Sequence, residues 1–268
     1  RSILEPMRTD TNIRLYDLAS LQKLLNITLL HDYGYKISKI ATYSPETIPD
    51  LVREIVTNKT AKSHALSEFK MAMMHFDQEL FFKTYNWLMT EKSFREIFYE
   101  VLVPLMHELG VLWQTDTISP AHEHFITFLI KQKLLIQTEQ LQVQKPTRTD
   151  KVFVLSLPMN EVHELGLMYL NYEILAKGYK CIYLGESIPI INLKDIKKHF
   201  DSIVFVSYLT VEPNRESVND YVDQMKQELE DDTTQLWFTG RMAAHIAPTK
   251  FSEKLLVFNS IESLVAAV

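Results

Sequence analysis

Three groups of residues have types and spacings that suit chemistry. The first is Glu161-Val162-His163-Glu164-Leu165-Gly166. An imidazole is a good metal ligand, and a carboxylate two positions earlier can hold its other ring nitrogen, as carboxylates do behind metal-bound histidines. Gly166 removes a side chain where a bulky group would lie against the start of a helix. Taken alone, the same histidine also reads as an ordinary surface-loop residue. The second group is His122-Glu123-His124, with Trp113 upstream. Residues two apart on a helix face different ways, and the His-Glu-x-x-His spacing of zinc proteases is absent, so no zinc site is assigned. The third is the lone Cys181, set in an apolar run; it excludes an internal disulfide and reads as a small core residue. No nucleophile–base pair and no phosphate-binding glycine loop is present, with 6 glycines in all, so the chain is not expected to be an enzyme.

The elements that must position these residues follow from periodicity. Val152, Phe153, Val154, Leu155 and Leu157 form an apolar run bounded by turn residues, the pattern of a strand buried on both faces. Leu165, Met168, Tyr172 and Leu175 then recur at helical spacing until Gly178. This strand–loop–helix unit puts His163 beyond the carboxyl end of a strand, where ligands of open parallel sheets dock. Further apolar runs at 179–185, 203–208, 236–239 and 255–258 read as strands, with helices near 193–200, 217–229 and 261–267. That alternation predicts a five-stranded parallel, flavodoxin-like sheet over residues 150–268.

Upstream, the chain is mainly helical. Leu66, Phe69, Met73, Phe76 and Leu80 make one apolar stripe, and 81–89 an aromatic-rich helix. A long helix from Phe94 to Leu112 is interrupted by Pro104, which is expected to kink it. Ser119-Pro120 has the pattern of a helix cap followed by proline at the first position. Together these predict a four-helix bundle over 62–145. The polar stretches 57–63 and 139–150 read as boundaries. Residues 1–58 form a smaller unit: a basic arm, a leucine-rich helix after Asp17 ending at Gly34, a short helix near Ser38, and a third opened by Ser44-Pro45.

Composition, with 46% hydrophobic and 23% charged residues, fits a soluble globular protein, and 268 residues suggest about two domains. No apolar run is long enough to span a membrane, so a cytoplasmic, reducing location is expected. The net charge is −6 overall, but residues 1–60 carry 8 basic and 7 acidic side chains. Any nucleic-acid contact therefore belongs to that first segment, with a weak electrostatic drive.

The wording of the sequence is more specific than its periodicity. Glu161-x-His163-x-x-Gly166 resembles the Asp-x-His-x-x-Gly signature of cobalamin-binding domains, with Glu in place of Asp. The resemblance implies that His163 is the lower cobalt ligand. Ser207-Tyr208-Leu209 and Thr239-Gly240 resemble the Ser-x-Leu and Gly-Gly stretches that hold the displaced nucleotide tail in that family. Ser207 would give a hydroxyl to the buried base, and Thr239, replacing a glycine, would crowd the tail. Trp113, nine residues, then Glu123-His124 resembles the cap motif of cobalamin-dependent photoreceptor regulators of the CarH group. It implies that Trp113, Glu123 and His124 face the upper side of the corrin, with His124 able to take the upper cobalt position. Arg8, Asn12, Arg14 and Tyr16, followed by the leucine-rich helix, resemble the wing and following helix of MerR-type winged-helix regulators, where such residues contact the DNA backbone. From residues alone Arg8 and Arg14 also read as a solvated loop.

The order of modules implies a DNA-binding transcriptional regulator that senses cobalamin, most simply adenosylcobalamin. The cofactor would sit between a helical cap and a Rossmann-like domain, with promoter DNA and further copies of the chain (dimer or tetramer) as partners. The family's recognition helix would lie ahead of Arg1, so this chain is expected to bind DNA poorly. Two alternatives stay open: the same regulator with a pocket that holds no cofactor, and a corrinoid carrier of a methyltransferase system.

Overall fold

The structure, a computed structural model, describes residues 7–8, 14–15, 18–32, 34–44, 47–48, 51, 61–114 and 118–268. The chain divides into two compact units, Arg1–Ile130 and Lys131–Val268, and the division falls inside one long helix.

The first unit opens with a short antiparallel ribbon, β1 (Met7–Arg8) and β2 (Arg14–Leu15), pairing Arg8 with Arg14. Two helices follow, α1 (Leu18–Asp32) and α2 (Ile37–Ile40). Ile27 and Leu30 of α1 bury against Ile40 and Ile48, with Tyr35, Tyr43 and Leu51 packed round them. The expected third helix from Ser44-Pro45 falls largely outside the described residues, as do the cap Asp17 and most of the expected linker 57–63; α3 (Ala61–His75) takes up the end of that linker.

After α3 come α4 (Gln78–Glu91), a long interrupted rod and α7 (Pro120–Gln142). The rod consists of α5 (Phe94–Ile97), a π turn Phe98–Leu102 and α6 (Val103–Gln114). The interruption expected at Pro104 takes this form. Proline lacks an N–H and its ring collides with the carbonyl four residues back, so a wider turn just before it relieves both conflicts. Ser93 starts the rod with a capping box: its hydroxyl accepts from the Glu96 N–H while Glu96 Oε2 accepts from the Ser93 N–H at 2.8 Å. Phe69, Met73, Phe81, Leu88, Ile97, Leu105, Ile126 and Ile130 are buried in this unit, with the Phe69 and Phe81 rings 4.9 Å apart.

The second unit is a parallel sheet of β3 (Arg148–Ser156), β4 (Tyr179–Gly185), β5 (Ile203–Tyr208), β6 (Thr234–Thr239) and β7 (Leu255–Val257), in the order β4-β3-β5-β6-β7. This is the flavodoxin-like order expected. Side chains alternate between two cores. Val154, Phe205, Leu236 and Phe238 pack with α10 (Val218–Leu229), while Phe153, Leu155, Val204, Val206 and Trp237 pack with α8 (Leu165–Ala176) and α11 (Ile261–Ala267). Gly178, at φ +85°, closes the turn after α8, where a side chain would be strained.

One expected element is corrected. Instead of a helix over 193–200 there is a single turn, α9 (Ile190–Leu193), then a 3-10 turn Ile196–Lys198. Ile190, Leu193 and Ile196, the residues turned to the core, recur every three residues, the period of a 3-10 helix rather than 3.6.

Candidate functional site

Strand order reverses at β3, whose following strands lie on opposite sides of it, so a crevice opens at the carboxyl ends of β3 and β5. The register sets Ser156 beside Ser207, Ser207 beside Phe238 and Tyr208 beside Thr239. The loops leaving β3, β5 and β6 therefore emerge together. That brings Glu161, His163, Gly166, Ser207, Leu209, Thr239 and Gly240 to one edge of the sheet.

Glu161 is the anchor of this edge. Its side chain is 1% exposed, yet every acceptor position is used. Oε1 accepts from the backbone N–H groups of Val162 and His163 (3.0 and 2.9 Å) and from His163 Nδ1 (2.6 Å). Oε2 accepts from the N–H groups of Thr210, Val211 and Glu212 at 3.1, 2.7 and 2.9 Å. Burial pushes the carboxyl pKa upward, but the hydrogen bonds from Val211, His163 and Glu212 outweigh it and hold the pKa down at about 2. The group is thus ionised and can only accept, so His163 Nδ1 donates to it, and in the neutral ring the lone pair is then on Nε2. The His163 side chain is 55% exposed, which leaves that lone pair open to a ligand. The longer glutamate, where the resembled family has aspartate, clasps the β3–α8 loop to the segment after β5.

The next residue extends the anchoring. Glu164 takes the Tyr183 hydroxyl at 2.9 Å and Lys131 Nζ at 3.0 Å. Burial, then Glu164, raise the Tyr183 pKa far above its ordinary value, so its hydroxyl stays a donor.

The other residues of the edge are engaged with each other. A Cβ on Gly166 would lie 2.5–2.7 Å from the ring carbons of Tyr208, so the room that Gly166 leaves is taken by this chain's own tyrosine. Ser207, fully buried, shares a hydrogen bond of 3.2 Å with the Tyr221 hydroxyl. Leu209 is fully buried in the core beside α10. The Thr239 hydroxyl donates to the Phe258 carbonyl at 3.0 Å. Gly240 stands at φ +100° with Leu209 O 2.5 Å from where a Cβ would be, so only glycine fits. Beside them lies a cavity of about 470 Å³ lined by Tyr208, Thr239, Gly240, Arg241, Phe258 and Ser260.

In the first unit, Ser119 Oγ lies 2.9 Å from His122 Nδ1, and the His122 ring stacks on Phe76 with centroids 4.6 Å apart. His124 is 79% exposed, with Nε2 3.6 Å from Glu123 Oε2. Trp113 lies on α6, but its side chain is outside the described residues; Arg8 on β1 and Arg14 on β2 have side chains likewise outside, and Asn12 and Tyr16 are outside altogether.

Tyr208, Tyr221 and the 210–212 backbone were not singled out by sequence. The only local signal for Tyr208 was its place between Ser207 and Leu209, opposite a glycine it had to pack upon.

The fold and site together define a helical block followed by a doubly wound parallel-sheet domain with a carboxylate-held histidine at its switch point. Residues 65–136, within the helical block, match the family model described as "B12 binding domain". Over 196 residues the chain is 26% identical to the HTH-type transcriptional repressor CarH of Myxococcus xanthus; the alignment takes in 70% of this chain and 63% of that protein, less than two thirds of the relative's length. The fold is similar to that of the monomethylamine corrinoid protein of Methanosarcina barkeri, with a TM-score of 0.58 and 13% identity over 77% of this chain and 94% of that one. Among the described residues, no helix is long and apolar enough to cross a membrane.

Proposed function

We propose that this chain is the ligand-sensing part of a cobalamin-responsive transcriptional regulator, with His163 as the protein's cobalt ligand. The observation that carries this reading is the Glu161 clasp. An ionised, buried carboxylate fixes the imidazole in the tautomer whose Nε2 lone pair is open, at the sheet edge where such folds take ligands. The donor set suits cobalt: an imidazole nitrogen backed by a carboxylate. The match of residues 65–136 to a B12 binding domain supports the same ligand for the helical block, where Glu123 and His124 are the candidate contacts, with Trp113. When bound, a cobalamin would supply a cobalt centre that takes a nitrogen ligand and absorbs visible light.

Regulation in place of methyl carriage is favoured because the sequence similarity runs to a repressor, whereas the likeness to a corrinoid protein is one of fold. DNA contact would come through Arg8, Asn12, Arg14 and Tyr16, and adenosylcobalamin is the proposed form. For the cofactor to regulate, it must bind two states of the protein with different affinity. Mixing the protein with adenosylcobalamin in darkness is expected to give a bound visible spectrum that His163→Ala alters; an identical spectrum in that variant removes His163 from the role. Sizing chromatography before and after green light separates a light switch, which changes the mass, from a plain cofactor sensor, which does not.

A further inference from the structure

The Tyr208 ring holds an unusual position. It ends β5, rests face-on over the bare Cα of Gly166, three residues after His163, and forms one wall of the 470 Å³ cavity. Among the described residues no hydrogen bond fastens it there, although the Glu262 carboxylate lies near enough to act on its hydroxyl, while the neighbouring Ser207 hydroxyl is paired with Tyr221. A half-buried aromatic ring held by no hydrogen bond can leave by rotating about its side-chain bonds, and Gly166 offers no side chain to close the space behind it. With the ring gone, the flat slot above Gly166 would be continuous with the cavity.

We infer that Tyr208 is a gate standing in for a flat heterocycle, and that it governs which corrinoids this chain accepts. The inference rests on the reading of His163 as cobalt ligand. If the His163 nitrogen takes the lower position on cobalt, the base that cobalamin itself carries there must leave and be housed nearby. The slot under Tyr208 has the right shape and lies next to His163 in sequence and in the fold. A base of that kind enters only when the tyrosine is out, so apparent affinity for base-bearing cobalamin falls by the fraction of molecules with the gate open. A corrinoid that lacks the base has no use for the slot and is indifferent to the gate.

The test compares aquocobalamin with aquocobinamide, which has no nucleotide base, by visible absorption titration of the wild type and of Tyr208→Ala. Opening the gate is expected to tighten cobalamin binding by about tenfold while cobinamide binding stays unchanged. Tyr208→Phe, which keeps the ring, should behave as wild type. Tyr208→Leu serves if the alanine variant does not fold, as judged by circular dichroism. A second readout needs no corrinoid: Gly166→Ala should markedly lower the urea midpoint in the wild type and much less in the Tyr208→Ala background. An unchanged cobalamin-to-cobinamide ratio in Tyr208→Ala overturns the gate and leaves the His163 reading standing. Failure of both corrinoids to bind, or a bound cobinamide spectrum indifferent to His163→Ala, overturns that reading and the gate with it.

Discussion

Two histidine-bearing turns of this protein, one after β3 and one at the start of α7, show how differently a fold can treat the same side chain. After β3, His163 is tied through Glu161 to five backbone N–H groups drawn from two loops. At the α7 start, His122 is held by one serine and one stacked ring, and His124 projects into solvent. The first arrangement fixes a nitrogen before any ligand arrives, which is what an axial ligand to a metal needs. The second fixes little, and suits a residue whose position a ligand would set.

The two turns differ most in what Glu161 does. Replacing it with alanine strands five partly buried donors and should cost about 3 kcal/mol or more in urea unfolding; a loss under 1 kcal/mol would mean the clasp does not order the edge. Its pH signature comes next. Because the folded-state pKa is depressed from 4.5 to about 2, the carboxylate's contribution is full above 4.5 and is lost as pH falls through 2. At 1.36 kcal/mol per pH unit that is about 3 kcal/mol at most. Urea midpoints between pH 5 and pH 2.5 should fall more steeply for wild type than for Glu161→Gln; parallel curves would contradict the assignment. At the α7 start the effects should be smaller. Ser119→Ala removes the hydroxyl paired with the exposed His122 ring and should cost no more than about 1 kcal/mol. His124→Ala should change stability by less than about 0.5 kcal/mol, since that side chain is 79% exposed. A larger loss there would show that the exposed histidine is structural after all.

The sheet was legible because β3, β5 and β6 are buried on both faces and read as apolar runs, and because β3, β5 and β7 are each followed by a turn and a helical stripe. The pair Glu161 and His163 was legible for a similar reason: both lie in one loop, two residues apart. Much of what gives that pair its properties was not. The reach of Glu161 to residues 210–212 crosses about fifty positions and depends on strand order, which no local pattern encodes. The same holds for Tyr208 upon Gly166: the glycine was read as room for a ligand, and the ring that fills that room comes from a different strand. The turn near 193–200 misled because apolar residues three apart satisfy a helical template while marking a tighter spiral.

The proposed function requires one contact that is itself a proposal, His163 Nε2 on cobalt. Its most direct test is the electron paramagnetic resonance spectrum of the cobalt(II) cobalamin complex, recorded with unlabelled protein and with protein carrying ¹⁵N-histidine. If His163 is the axial ligand, the nitrogen splitting should change from a triplet to a doublet on labelling, and the His163→Ala protein should lose that response. A triplet that survives labelling would place the cofactor's own base, not this histidine, on the metal.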